Sequence, residues 1–246
     1  MSDVERGDWY LGLREEAPSS RYFEPSPTFP FNDSITALFE VPPPPDRPDL
    51  VAIAPGEEDA RLFILHINRY LVHVMQRPAV AALVAAGDLT DDDVRVLISY
   101  KTDSPFPLYK WINGYLTGDR NPVYKDKVGP YFTLLYRALE KLPQVVCNCA
   151  RAVRVANIPA LQQTFATYAD RLVTGKPLNF WGFASFTTST KIIQSPAFSG
   201  QPDEEAIIYS ISPATGVKLD AFRPPGMPVD HEVLIMAPTL CRVTGT

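Results

Sequence analysis

The stretch VVCNCARAVRV at residues 145–155 is the point at which the sequence changes from helical to strand-like patterning. Its valines and small residues, which follow Pro143, predict a β-strand. A short predicted helix at 159–172 comes next, and strand-like stretches separated by glycine and proline turns follow it. They cover residues 179–188, 205–212, 217–221, 231–236 and 240–244. A run of helices followed by a run of strands predicts the α+β class, with an antiparallel β core.

The segment before this point, residues 57–142, places apolar side chains at spacings of three and four, as amphipathic helices do. Thr90, with aspartates at the next three positions, predicts the start of one helix. Its hydroxyl can cap the helix, and the acids favour the positive end of the helix dipole. Pro107 is placed to open another helix. The sequence has no βαβ alternation, GxGxxG or Walker A motif, which argues against a Rossmann or P-loop nucleotide site.

Residues 1–56 differ in composition from the rest of the chain. Prolines and aromatic residues alternate over 22–31, and Pro42–Pro45 follow. Because dense prolines disfavour helices and inner strands, we predict an extended N-terminal arm that packs along the body of the protein. A ligand for a proline-recognising partner is the alternative. The chain is therefore divided into the arm at 1–56, a helical part at 57–144 and a β-rich core at 145–246.

Composition and charge limit the classes of partner that we expect the chain to bind. The 246 residues carry a net charge of −5, so the chain has no general electrostatic attraction to nucleic acid or to an anionic membrane. No run reaches the roughly 20 apolar residues that cross a bilayer. The first residues do not have the basic and apolar pattern of a secretory signal, so we expect synthesis in the cytoplasm, with export by another route left open.

The cysteines and histidines do not predict a metal site. Cys147 and Cys149 lie two apart, Cys241 is distant, and the three histidines have no ligand-like spacing. We expect reduced, structural thiols and no bound metal.

Three short segments of the strand half carry chemical groups. Arg151 lies inside an apolar strand, where a guanidinium needs an anionic partner such as a phosphate. Ser185 and Thr187 share one strand face and can donate hydrogen bonds to sugar or amide groups. Asp230 and Glu232 also lie two apart, which on a strand places both carboxylates on one face. Each segment alone has a plainer interpretation: a strand-edge arginine paired with a surface acid, a hydroxyl-rich strand end, and a solvated acidic strand start.

Taken in order, these segments resemble the Arg–Ser–Glu class of mono-ADP-ribosyltransferases, which includes clostridial toxin enzymes and vertebrate enzymes. Tyr109 and Asn113 match an aromatic–Asn pair on a helix before the first strand of that class, and Phe198 matches its later aromatic. The stretches 207–211, 216–219 and 230–235 resemble its closing strands. The resemblance covers about residues 90–246. It implies a helical segment followed by an antiparallel two-sheet β core that binds NAD⁺ as co-substrate.

The resemblance also implies roles for individual residues. Glu232 would hydrogen-bond the ribose 2′-hydroxyl of NAD⁺ and stabilise the cation formed as nicotinamide leaves, with Ser185 positioning it and Asp230 on the acceptor side. Arg151 would hold the phosphates. The remaining residues expected to bind NAD⁺ are Ala152 through its backbone, Thr187, Tyr109, Asn113 and Phe198.

The chain departs from the class at informative positions. Ala152 stands where glycine is usual, and Phe186 and Thr187 replace Thr and Ser. Asp230 stands where the class has Glu or Gln, and the identity of that residue goes with the kind of acceptor side chain that is modified. The resemblance therefore implies transfer of ADP-ribose to a protein side chain, with arginine as the first candidate. Two alternatives are an NAD⁺ glycohydrolase with water as acceptor and a catalytically inert module that binds a partner. The sequence does not indicate an oligomeric state.

Overall fold

A computed structural model of the chain describes residues 9–18, 29–41, 57–117, 122–154, 173–180, 182–200, 206–237 and 239–245. The chain forms two compact units, each assembled from separate parts of the sequence. The β-rich unit comprises Met1–Ser20, Gln144–Lys218 and Asp230–Thr246, and the helical unit comprises Arg21–Pro143 and Leu219–Val229. This division differs from the predicted one because residues 1–20 belong with the strands and 219–229 with the helices.

The helical unit contains α1 (Phe31–Phe39), α2 (Glu57–Val74), α3 (Pro78–Ala85), α4 (Asp91–Lys101), α5 (Leu108–Thr117), α6 (Pro122–Glu140) and a 3-10 turn at Asp220–Phe222. Helix α1 packs against α2 and α6, and α4 also packs against α6. The rings of Phe39, Phe63 and Phe106 meet in the core at centroid separations of 5.5–6.3 Å. No helix in the described part of the chain has both the length and the apolar character that a membrane crossing needs.

The predicted helix start at Thr90 is confirmed. The hydroxyl of Thr90 accepts from the Asp93 amide at 3.2 Å, and the Asp93 carboxylate accepts from the Thr90 amide at 2.7 Å, which is a reciprocal capping box. Lys141 adds an ion pair to the same carboxylate at 2.6 Å. Asp93 is buried, and these partners satisfy its charge.

The β-rich unit contains β1 (Trp9–Pro18), β2 (Gln144–Arg154), β3 (Pro177–Phe180), β4 (Ala184–Thr187), β5 (Ala206–Lys218), β6 (Glu232–Ile235) and β7 (Thr239–Gly245), with short helices α7 (Thr190–Ile193) and α8 (Pro196–Ser199). The order across the sheet is β2-β4-β6-β5-β1-β7-β3, and β2 also pairs with β5. β2, β4, β6 and β5 therefore form a closed circuit of antiparallel pairs.

The described strands are joined in one hydrogen-bonded network. One pairing departs from the predicted antiparallel arrangement: β1 runs parallel to β5, with Trp9 opposite Ile207, while it is antiparallel to β7. The order of strands along a sequence cannot reveal a pairing between segments that are so far apart.

The strand boundaries show two further differences from the prediction. The stretches expected at 205–212 and 217–221 are one strand, β5, which continues through Pro213. The register with β2 shifts between Cys147 and Cys149, so the proline falls at an irregularity where a strand tolerates the loss of an amide donor. The stretch expected at 179–188 is divided into β3 and β4. The helix expected at 159–172 lies outside the described residues.

Residues 1–56 are not an extended arm where the structure describes them. The segment Trp9–Pro18 is an inner strand, and Phe31–Phe39 is a helix. The nine residues that follow Pro30 contain no proline, and their apolar side chains repeat at helical spacing. The buried residues of α1 include Phe31, Ile35, Leu38 and Phe39. The Pro42–Pro45 run lies outside the described residues.

Candidate active site

The short strand β4 is hydrogen-bonded to the two strands that carry Arg151 and Glu232. β4 lies between β2 and β6, and its last residue, Thr187, is directly opposite Ala150 on one side and Glu232 on the other. Ala184 and Phe186 are buried, whereas Ser185 between them is exposed. Ser185 is the cross-strand partner of Leu234, so its hydroxyl lies two residues along the pairing from Glu232, the first residue of β6.

Arg151, Ser185 and Glu232 line a single open cleft in the β-rich unit. These residues come from β2, β4 and β6, which are far apart in the sequence. The structure therefore brings together the three side chains that the sequence motifs single out. The other residues of the lining are Ala150, Ala152, Phe186, Thr187, Ile193, Phe198 and Asp230.

The charged groups of the cleft differ in their contact with solvent. The side chain of Glu232 is almost fully buried, at 5% exposure, while Arg151 and Asp230 are half-buried. A carboxylate shielded from water acts more strongly on nearby charge than an exposed one, because the local dielectric constant is lower. The cleft thus combines one guanidinium, which suits a phosphate, with two carboxylates, which suit a cation.

Phe198 and Ile193 supply the apolar part of the lining. Phe198 lies on α8 and is 42% exposed, so much of its ring is available to a flat ligand. Ile193 lies at the end of α7 and is buried. Ile193, Ala150 and Phe186 also line the cleft, and no sequence signal marks them, since isolated apolar residues in a strand or a short helix look alike in a cleft wall and in a core.

The hydroxyl of Thr187 forms two hydrogen bonds with the backbone of the β-rich unit. Its hydroxyl donates to the carbonyl of Asp230 at 2.7 Å and accepts from the amide of Ser189 at 3.0 Å. Thr187 therefore belongs to the lining of the cleft, and its hydroxyl hydrogen is already used inside the protein.

The turn before β6 differs from the predicted strand. β6 begins at Glu232, and His231 has a φ of 50°, in the left-handed region. Asp230 and Glu232 nevertheless both line the cleft. The backbone between them is left-handed at His231, so the alternation of a regular strand, which was the predicted reason, does not account for their shared cleft.

Tyr109 and Asn113 belong to the helical unit, on α5. The ring of Tyr109 meets that of Tyr100 at 6.3 Å, and the ammonium of Lys110 lies 5.9 Å from the Tyr109 ring centre. Their expected contact with NAD⁺ stays a prediction. No three His, Cys, Asp or Glu side chains gather as metal ligands within the described ranges.

Comparisons with known proteins give similar folds among solved structures. No protein-family model matches the sequence, and no curated protein matches it. The chain is similar to the ADP-ribosyltransferase HopU1 of Pseudomonas syringae pv. Tomato DC3000, with 17% identity over 71% of this chain and 77% of that chain and a TM-score of 0.48. It is also similar to the Vis toxin, an ADP-ribosyltransferase from Vibrio splendidus, with 16% identity over 85% and 82% and a TM-score of 0.46.

A third similar structure is an ADP-ribosyltransferase from Clostridium botulinum, with 17% identity over 67% of this chain and 83% of that chain and a TM-score of 0.46. These three proteins are ADP-ribosyltransferases, the kind of enzyme that the sequence motifs resemble.

Proposed function

We propose that this chain is a mono-ADP-ribosyltransferase, which cleaves the bond between nicotinamide and ribose in NAD⁺ and transfers ADP-ribose to a protein side chain. The observation that supports the proposal is the common cleft of Arg151, Ser185 and Glu232. These residues are the ones that the sequence order singles out, and they are contributed by three separate strands.

The reaction defines what the cleft has to stabilise. The bond between ribose C1′ and the nicotinamide nitrogen breaks, and its electron pair leaves with neutral nicotinamide. The ribose becomes an oxocarbenium-like cation until a nucleophile of the acceptor bonds to C1′ and releases a proton. The carboxylate of Glu232, which is nearly buried, is suited to stabilise this cation. Removal of one such preorganised group typically lowers the rate by about 10²–10³-fold.

The other residues of the lining are suited to hold NAD⁺. The planar guanidinium of Arg151 can donate two parallel hydrogen bonds to a phosphate. The exposed ring of Phe198 can stack on nicotinamide, while the hydroxyl of Ser185 and the backbone of Ala152 can bind ribose and amide groups. Tyr109 and Asn113 are proposed as further NAD⁺ contacts.

Asp230 makes arginine the first candidate for the acceptor. Its carboxylate lines the same cleft as Glu232 and can pair with an incoming guanidinium. Water is the second candidate, because the exposed side chain of Ser185 leaves the cleft open to solvent. In that case the chain would act as an NAD⁺ glycohydrolase.

Incubation with NAD⁺ labelled in its adenylate part tests both steps. The assay measures nicotinamide release and label transfer to agmatine, a small carrier of a guanidinium group, and to proteins of a cell lysate. Three variants accompany the wild type: Glu232→Gln, Asp230→Ala and the control Asp88→Asn, which changes an exposed acid of the helical unit.

We expect Glu232→Gln to lose nicotinamide release by about 10²–10³-fold, Asp230→Ala to lose mainly transfer to agmatine, and Asp88→Asn to behave as wild type. Free ADP-ribose without labelled acceptor would assign the glycohydrolase reaction instead. A wild-type protein that releases no nicotinamide with or without acceptors would overturn the proposal and leave the inert binding module.

A further inference from the structure

The backbone at His231 is unusual and lies directly before the buried carboxylate of the cleft. Its φ of 50° is in the left-handed region, which residues other than glycine rarely adopt. It is the only non-glycine residue with a positive φ among those the structure describes. Its side chain is exposed, so packing of the imidazole does not impose this conformation. Such outliers persist when the surrounding structure determines them.

Two hydrogen bonds, one from the last residue of β4 and one from the residue after it, hold the peptide groups on both sides of His231. The hydroxyl of Thr187 donates to the carbonyl of Asp230 at 2.7 Å, and the amide of Thr188 donates to the carbonyl of His231 at 3.2 Å. The Thr187 hydroxyl also accepts from the Ser189 amide at 3.0 Å, which fixes its direction.

This arrangement acts on Glu232 through the main chain. Glu232 is the next residue after His231, and it is the cross-strand partner of Thr187. The two fixed carbonyls determine the direction in which the chain enters β6, and hence the position of the first side chain of that strand. A displacement of about 1 Å at a reacting group can lower a rate by about 10²-fold.

We propose that Thr187 and the left-handed backbone of residue 231 are positioning residues for Glu232, and that residue 231 contributes its conformation and not its imidazole. The inference rests on the proposed function, in which Glu232 stabilises the ribosyl cation. Thr187 acts through the Asp230 carbonyl, so a hydroxyl at position 187 is needed, whereas residue 231 needs only access to a positive φ.

Four substitutions in the full chain separate these requirements. Thr187→Val keeps the shape and removes the hydroxyl, while Thr187→Ser keeps the hydroxyl. His231→Gly removes the imidazole and permits a positive φ, while His231→Val is β-branched and opposes it. The readouts are kcat and KM for NAD⁺ in nicotinamide release, the thermal midpoint, and hydrogen exchange of the Thr188 amide.

We expect Thr187→Val to lower kcat by about 10²-fold with little change in KM, and Thr187→Ser to restore it. His231→Gly should keep kcat, and His231→Val should lower it. Faster exchange of the Thr188 amide in Thr187→Val would show that loss of the hydroxyl loosens the neighbouring backbone bond. If His231→Val does not fold, the inference is tested by Thr187→Val, Thr187→Ser and His231→Gly.

Three results would overturn the inference: wild-type kcat in Thr187→Val, loss of kcat in His231→Gly, or unchanged Thr188 exchange in Thr187→Val. The exchange measurement does not depend on activity. An inactive wild-type protein would therefore refute the enzymatic function, while the exchange data would still test the backbone arrangement.

Discussion

Substitution of Gly216 by alanine tests how closely β5 and β6 must approach each other. A Cβ atom at position 216 would lie 2.6 Å from Cγ1 of Val233 and 2.7 Å from the carbonyl oxygen of Leu234. Ordinary van der Waals contact begins at 3.4 Å, and 3.4 Å minus 2.6 Å leaves about 0.8 Å of overlap. Val233 is fully buried and Leu234 is contacted at its backbone, so β6 itself has to move.

The magnitude follows from this overlap. Overpacking of a well-packed core typically lowers the free energy of unfolding by about 1–3 kcal/mol. Because Val233 is the neighbour of Glu232, a shift of β6 by most of an ångström also displaces the carboxylate. We expect nicotinamide release to fall by on the order of 10²-fold.

Urea denaturation and steady-state kinetics measure the two effects. Gly129→Ala is the matched control, because it makes the same substitution in helix α6, where a Cβ would meet no atom within 4 Å. That variant should be fully active. Its free energy of unfolding should change by less than about 1 kcal/mol, because the gain in helix propensity is opposed by Pro130, which disfavours helical backbone in a preceding residue that has a Cβ. If Gly216→Ala has the stability and the rate of wild type, the close approach of β5 and β6 does not position Glu232 and the reasoning is wrong.

Three further predictions concern other residues. Arg151→Lys should raise KM for NAD⁺ by about tenfold with a smaller effect on kcat, since an ammonium cannot form the paired phosphate bonds; steady-state kinetics measures this. Tyr131→Phe should lower the free energy of unfolding by about 1 kcal/mol, because it removes the buried 2.9 Å bond to Ser99; urea denaturation of both single variants and the double variant with Ser99→Ala measures the coupling. Burial, and secondarily the charge of Arg69, lowers the pKa of His66 below 6.5, so the unfolded chain binds this proton more readily. The contribution of His66 to the free energy of unfolding is therefore complete above pH 6.5 and is lost as the pH falls through the lowered pKa of the folded protein. Urea denaturation above and below pH 6.5 should show that His66→Gln loses less stability than wild type as the pH falls.

The sequence predicts best those features whose causes are local. The helix start at Thr90 is confirmed because its capping box involves residues only three apart. The strand around Arg151 runs from Gln144 to Arg154, close to the predicted 145–155, because its apolar run is bounded by Pro143. The α+β class follows from the order of such segments.

Features that depend on contacts between distant segments could not be predicted from the sequence. The inner position of β1 results from pairing with β5 and β7, and no local pattern in Trp9–Pro18 identifies those partners. The continuation of β5 through Pro213 depends on an irregular register with β2. Within the candidate site, β6 begins at Glu232, one residue after the predicted start, and the strand pattern at 231–236 carries no signal for the left-handed backbone of His231.

The place of β1 has a consequence for how the protein is made. β1 lies between β5 and β7, so it has no complete set of hydrogen-bonding partners until β7 (Thr239–Gly245) has been synthesised. The helices of Phe31–Glu140 depend on shorter-range contacts and can form earlier during translation. Removal of the first twenty residues would therefore withdraw an inner strand, and a β-rich unit synthesised without it would expose two unpaired strand edges to other chains.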